Sequence, residues 1–351
     1  MADRWTVGRI THGLHWRSQL VAHRLRKYLW DRNRGDSFEQ AVLAGHNLQS
    51  ACGASDEIVR TWVDFALSSV ERGRHAVQLM GGRRALREKR VLDVGCAYGG
   101  FLVAASQAGA REVIGIDISS ELLDLARIQL KDYGIEAELA QADILRDDAI
   151  RFAPFDMVFC NDVVEHVVDL EALARNLSRL LVRNGSLFLS IPNGRSVDSM
   201  RSDNHYGLVG LTLLDREQAE RWWRIHYRDE IYGVEHHAPL SLYIDLFSRH
   251  GISLRLLDSN PDSEKLTAMV VGLEERFDAL DTQLASLHHD HHDAPELIDA
   301  IQERGAEEID HFRRTVTRYR ASRVPAEKAI LGELLYDTYG RNAWQLKGVR
   351  V

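Results

Sequence analysis

Val91-Leu-Asp-Val-Gly-Cys-Ala-Tyr-Gly-Gly-Phe-Leu102 is the stretch that decides the fold. A short apolar run carries a carboxylate, Asp93, near its end, and a glycine-containing turn follows and opens a helix. Glycines in such a turn let the backbone approach a ligand without a Cβ clash. The helix start offers free N–H groups. The spacing, Asp93-x-Gly95-x-x-x-Gly99, departs from the GxGxxG of pyrophosphate-binding turns. Outward from this stretch, strand-like runs at 90–94, 112–117, 136–140, 156–160 and 186–191 alternate with helical patterns to about 108, at 120–132 and at 169–182. Strands separated by helices mean βαβ units. The fold class is therefore α/β, a doubly wound (Rossmann-like), mainly parallel sheet whose ligand crevice lies at the carboxyl ends of the strands.

Each later strand also ends in polar residues. Val113-Ile-Gly-Ile-Asp117 places Asp117 24 residues after Asp93. That is about where a doubly wound fold puts the acid that accepts from ribose hydroxyls. In Gln141-Ala-Asp143-Ile144, Asp143 can accept from an exocyclic amine while Ile144 packs on a flat base. Phe155-Asp-Met-Val-Phe-Cys-Asn-Asp-Val-Val-Glu-His166 is a buried strand running into polar residues, and Leu181–Asn193 is a turn followed by another strand.

These five ordered motifs, over about 90–193, resemble those of class I S-adenosylmethionine-dependent methyltransferases of the small-molecule type. The resemblance implies S-adenosyl-L-methionine as cofactor. It places Gly95 and Gly99 beside the methionine and ribose parts, Asp93 at the methionine amine and Asp117 on both ribose hydroxyls. Ile118 would lie against the adenine, Asp143 on its amino group and Asn161 at the sulfonium end. Ala97 stands where the family turn often has glycine, and is expected to keep φ < 0. Glu165-His-Val resembles the quinone O-methyltransferase version, and the alternating 343–351 resembles the antiparallel C-terminal strand of that fold. The chain then divides into an N-terminal helical region (1–85) and a methyltransferase core (86–258) whose 194–237 insertion forms an acceptor lid. A helical insertion (259–340) and the last core strand (341–351) complete it.

The reaction would be an in-line displacement of methyl by an oxygen, nitrogen or carbon nucleophile, and a hydroxyl nucleophile profits from a base. His166, just past the fourth strand, and His205, in Asp203-Asn-His-Tyr-Gly207, are the catalytic candidates, with Tyr206 beside the acceptor. His226, Tyr227, His236 and His237 are weaker ones; Trp222-Trp223 can line an acceptor pocket, although an aromatic pair on a helix more often belongs to a core. His288-His289-Asp290-His291-His292-Asp293 contains metal-ligand types. It lies far from the motifs and reads as a polar loop, so no metal site is assigned.

The 351 residues carry 44 Lys and Arg against 52 Asp and Glu, a net −8. That disfavours a dedicated nucleic-acid binder, and Asn161-Asp-Val-Val lacks the signature of DNA amino-methylation. Residues 1–34 hold eight basic residues against Asp3 and Asp31, which leaves +6 on a basic amphipathic helix. Such a helix can pack on the protein or a twin subunit, or make peripheral contact with a membrane or phosphate groups. A homodimer is expected. Three scattered cysteines, no apolar run near ~18 residues and no signal core fit a cytoplasmic protein. The acceptor is expected to be a small molecule, such as a sugar, a lipid-linked intermediate or a secondary metabolite. The alternatives are methylation of tRNA or protein, and cofactor binding without catalysis.

Overall fold

The computed structural model describes residues 37–51, 63–146, 149–227, 232–257, 263–290 and 294–351, with the backbone alone at 45–51, 263 and 288–290. The basic arm 1–34 and the side chains of the 288–293 tract lie outside the described residues.

Seven strands form one sheet in the order β3-β2-β1-β4-β5-β7-β6. They are β1 Arg90–Val94, β2 Glu112–Asp117, β3 Glu138–Gln141, β4 Phe155–Asn161, β5 Leu181–Pro192, β6 Ile252–Leu256 and β7 Ala343–Arg350. The pairs from β3 through β5 are parallel. β7 enters between β5 and β6 antiparallel to both. The expected antiparallel last strand is therefore present, and it is internal to the sheet. Strand β1 is apolar and buried on both faces because helices cover the sheet on each side.

The crossover helices start where capping chemistry puts them. Ser119 accepts the Leu122 N–H ahead of α5 (Ser120–Asp132), and Asp169 accepts the Ala172 N–H ahead of α6 (Leu170–Leu180). N-terminal to β1 lie α1 (Phe38–Ala51), α2 (Ser69–Leu79) and the short α3 (Gly82–Leu86). Helix α2 touches α4 (Gly100–Gln107) backbone to backbone. A Cβ on Gly100 would stand 2.3 Å from the Ser69 carbonyl carbon, and one on Gly73 would stand 2.7 Å from the Gly100 oxygen. Only glycines permit that approach, and it carries the residues of α2 to the end of β1.

Two apolar cores fill the two faces of the sheet. A third joins residues of the 197–234 stretch to the long helices α10 (Ser263–Asp290), α11 (Pro295–Ala321) and α12 (Pro325–Leu335). Phe277 and Phe312 stack there at 3.9 Å with Tyr339 edge-on to both. The described residues of 194–237, with α7 (Val197–Arg201) and α8 (Arg216–His226), therefore pack with the late helices as one layer. Trp222 and Trp223 are buried in this third core. Of their two readings, pocket lining and core, the structure gives core: an aromatic pair on α8 serves packing. Helix α9 (Leu240–Arg249) leads into β6.

Candidate active site

The carboxyl ends of β1, β2 and β4 meet because Asp93 pairs in register with Gly115 and with Phe159. The turn after β1 is held down by Ile116, whose carbonyl accepts the N–H groups of both Gly95 and Cys96. Gly95 sits at φ +69°, and a Cβ there would lie 2.4 Å from Val163 Cγ2. Gly99, at φ +79°, opens α4. Ala97 has φ +41°, which overturns the expectation of φ < 0. The reason is geometric: the Ala97 N–H must face Asp117 Oδ2, to which it donates at 2.9 Å. The left-handed conformation brings it there.

Asp117 uses one lone pair of each oxygen locally, Oδ2 for Ala97 and Oδ1 for the Ser119 N–H at 2.9 Å. A carboxylate has about four acceptor positions, so one per oxygen remains. Burial pushes its carboxyl up, and the N–H groups of Ser119, Ala97 and Ile118 pull the other way. Ile118 is 69% exposed at the strand end, an apolar face without cover. Ile144, in contrast, is 5% exposed and belongs to a sheet core. Its side chain is not offered to a base, because the turn after β3 points it inward while its carbonyl accepts from Asn176. Asp143 accepts the Leu145 N–H at 2.9 Å and pairs with Arg146 at 3.2 Å.

Asp93 is 2% exposed, and its Oδ2 has no hydrogen-bond partner. Burial first, then the charge of Asp117, hold its carboxyl well above the usual range, with Arg72 countering. Arg72 was not foreseen from the sequence. It reaches in from α2, donates to the Phe65 carbonyl at 3.0 Å, lies over the Phe65 ring and stands 3.5 Å from Asp162 Oδ2. Its Nε is buried without a partner. The one local signal for it is Gly73, which lets α2 press on α4.

Beyond β4, Asn161 donates to Asp162 Oδ2 at 2.6 Å, and the Ser190 hydroxyl donates to Asp162 Oδ1 at 3.3 Å. Asp162 has φ +52°. Burial, then Glu165, push its carboxyl up to about 6 against the pull of Arg72, Ser190 and His205. The next residues form a second polar group. Glu165 is 0% exposed, and neither carboxylate oxygen has a hydrogen-bond partner. His166 Nε2 and His205 Nε2 stand 3.7 and 3.8 Å from Glu165 Oε1. The two imidazoles are perpendicular, 5.1 Å apart. The two catalytic candidates thus share one carboxylate. The roof is fixed from behind: the Glu165 carbonyl accepts from Glu235 and His236, and His166 Nδ1 meets the Gly233 carbonyl at 2.7 Å. His237 packs on Gly194 with both ring nitrogens unpartnered, and burial pushes it down to about 4. His226 and Tyr227 are engaged in the third core, His226 with the Trp222 carbonyl and Tyr227 with the Tyr206 carbonyl.

Residues 69–256 match the family model described as a methyltransferase domain. The chain belongs to the S-adenosylmethionine-dependent methyltransferases. Among curated relatives, a ubiquinone biosynthesis O-methyltransferase from Azoarcus sp. (strain BH72) is 34% identical over 112 residues, which is 32% of this chain and 48% of the relative. One from Coxiella burnetii (strain Dugway 5J108-111) is 36% identical over 110 residues, 31% of this chain and 45% of the relative. The chain thus spans about half the length of the curated relatives it matches. Among solved structures, the magnesium protoporphyrin IX methyltransferase of Synechocystis PCC 6803 with bound SAH matches at TM-score 0.40 and 20% identity, over 58% of this chain and 80% of that one. In this methyltransferase no helix among the described residues is long and apolar enough to cross a membrane.

Proposed function

We propose that this protein transfers the methyl group of S-adenosylmethionine to a hydroxyl oxygen of a small molecule. The observation that carries the reading is the buried, unpartnered Oδ2 of Asp93 beside the glycine cradle at Gly95. A buried acceptor without a donor is costly, and the ammonium of the donor's methionine part supplies that donor. The Arg72 guanidinium stands ready for the methionine carboxylate. Asp117 holds the ribose diol with its two remaining acceptor positions, and Ile118 covers one face of the adenine. When bound, the cofactor supplies a methyl on a sulfonium, a leaving group that departs as a neutral thioether.

The residues past β4 receive the acceptor. Asn161 and Asp162 border the sulfonium side. In this reading His166 and His205 help the acceptor hydroxyl give up its proton as its oxygen takes the methyl. Holding the two reactants in line is worth roughly 7–11 kcal/mol, and assistance with the proton about 10²–10⁴-fold. The third core roofs this end of the sheet and excludes water. The O-methyltransferase names of the relatives support an oxygen acceptor. The test is incubation of the full chain with methyl-labelled cofactor and a cell extract, followed by size fractionation. Label is expected in the low-molecular-weight fraction. Label in RNA or protein, or none, refutes the assignment.

A further inference from the structure

We propose that His237 binds the acceptor, and that the group it holds is an uncharged oxygen function, a hydroxyl or a carbonyl, other than the hydroxyl that takes the methyl. That the ligand is a methyl acceptor rests on the methyl-transfer reading.

The chain on both sides of His237 is pinned. The N–H groups of Glu235 and His236 donate to the Glu165 carbonyl, and the Ala238 N–H donates to the Tyr243 hydroxyl at 3.3 Å. The ring then lies on Gly194, just past the end of β5. A Cβ on Gly194 would stand 2.8 Å from His237 Cβ and 2.9 Å from its Cγ and Nδ1. Only glycine permits that approach. Gly194 is itself held, because Asn193 Nδ2 donates to the carbonyls of Thr338 and Arg341 at 2.9 and 2.8 Å. The charges acting on the ring are those of His205, Glu165, His166 and His236. His237 thus shares the surroundings of the two catalytic candidates.

His166, His226, His250 and His311 each bring a ring nitrogen within 2.9 Å of an oxygen. His237 does so with neither of its two, and both are buried. His236 beside it also leaves Nε2 buried without a partner. A buried donor and a buried acceptor left unmet cost stability. An apolar side chain would rest on Gly194 without that cost, so packing does not explain a histidine here.

Burial, then the His205 charge, push the ring down to about 4, so it is neutral near pH 7. A neutral imidazole carries one N–H and one lone pair. It offers an anion no countercharge, and its basicity is too low for it to take the acceptor proton efficiently. What suits it is a hydroxyl, which both donates and accepts, or a carbonyl for its N–H.

The experiment is saturation-transfer NMR of the low-molecular-weight fraction of a cell extract, diluted in steps, against the full chain loaded with S-adenosylhomocysteine. Expected is a bound compound whose half-saturating concentration rises about 10- to 100-fold in His237→Phe, the loss of one hydrogen bond with its partner left unpaired. Where His237→Phe does not fold, His237→Leu replaces it. His237→Gln keeps a neutral donor and acceptor and should lose less. The ratio of native to His237→Gln affinity should stay constant between about pH 6 and 8. Calorimetry should give one S-adenosylhomocysteine affinity for all the chains. No bound compound, binding kept in the apolar variant, or loss of S-adenosylhomocysteine affinity along with it overturns the proposal. So does a ratio that grows toward pH 6, which would mean an imidazolium holding an anion. Binding that depends on His237 without any methyl transfer would sink the functional reading alone. Label entering small molecules equally well with the native chain and the apolar variant at limiting extract would sink this inference alone.

Discussion

Replacing Asp117 with Asn tests the ribose half of the site, because its size follows from hydrogen bonds already counted. Each carboxylate oxygen accepts one backbone N–H at 2.9 Å and keeps one position for a ribose hydroxyl. Asn retains one oxygen and removes the charge. A hydrogen bond to a charged group contributes about 1.5–3 kcal/mol and a neutral one about 0.5–1.5. Two charged bonds to the diol therefore become one neutral one, a loss of about 2.5–4.5 kcal/mol, or roughly 70- to 2,000-fold in Kd. The amide NH₂ must also face either Ala97 N–H or Ser119 N–H, so the ligand-free variant should melt at a lower temperature. Calorimetric titration with S-adenosylhomocysteine gives the affinity. Titration with a deoxyribose analogue closes a double-mutant cycle: the missing hydroxyl should weaken binding to the native chain far more than to Asp117→Asn. If a folded Asp117→Asn binds within about threefold of the native chain, or if the two losses simply add, Asp117 does not hold the ribose.

Three further outcomes follow from the same edge of the sheet. Ala97→Gly should raise the melting temperature, because alanine at φ +41° carries about 1–2 kcal/mol of left-handed strain while glycine's extra unfolded-state entropy returns only about 0.4–1. A lowered melting temperature in a thermal scan would refute that. Gly95→Ala should abolish cofactor binding, since its Cβ meets Val163 Cγ2 at 2.4 Å. Adding Val163→Ala should restore part of it in calorimetry, and no restoration would mean that φ alone is responsible. Asp93, whose carboxyl burial and then Asp117 hold well above the usual range, must be ionised to meet an ammonium. Affinity should therefore climb with pH up to the raised pKa and level off above it, with a proton released on binding. Titrations in buffers of different ionisation enthalpy measure that release, and Asp93→Asn should remove it.

The gathering of Asp93, Gly95, Asp117 and Ile118 at one edge of the sheet was legible in the sequence because each sits at or just past the end of a strand. A buried apolar run fixes the strand, the next polar residue falls on the carboxyl edge, and parallel pairing aligns the edges. The positions of Asp93, Gly95, Asp117 and Ile118 follow from that rule, while the roles of Asp93, Gly95 and Ile118 toward a cofactor came from the family resemblance. Ile144 breaks it, because a short turn after β3 rotates the side chain into the core and local periodicity does not record the rotation. Arg72 and the joining of His166 with His205 depend on contacts across the chain. Arg72 needs the Gly73–Gly100 approach between two helices. His205 needs a roof whose third core draws on helices more than 60 residues downstream. The paired tryptophans of α8 were open between core and pocket wall for the same reason: an aromatic face in sequence does not say which layer it meets.

The two non-glycine residues with positive φ just past the carboxyl ends of β1 and β4, Ala97 and Asp162, each aim a polar group. Ala97 turns its N–H onto Asp117, and Asp162 turns its carboxylate between Arg72 and Ser190. Strain of this kind persists only where surrounding contacts over-determine it. Here the contacts are identifiable: the double N–H acceptance at the Ile116 carbonyl on one side, and the Asp162 N–H to Ser190 carbonyl bond on the other. The two strained residues lie just past the ends of β1 and β4, neighbours in the sheet. A packing requirement would have been met by glycine at either position. What needs fixed amides and carboxylates at the mouth of a parallel sheet is a ligand with charged and hydroxyl groups at set distances, and that is the demand a sulfonium nucleoside makes.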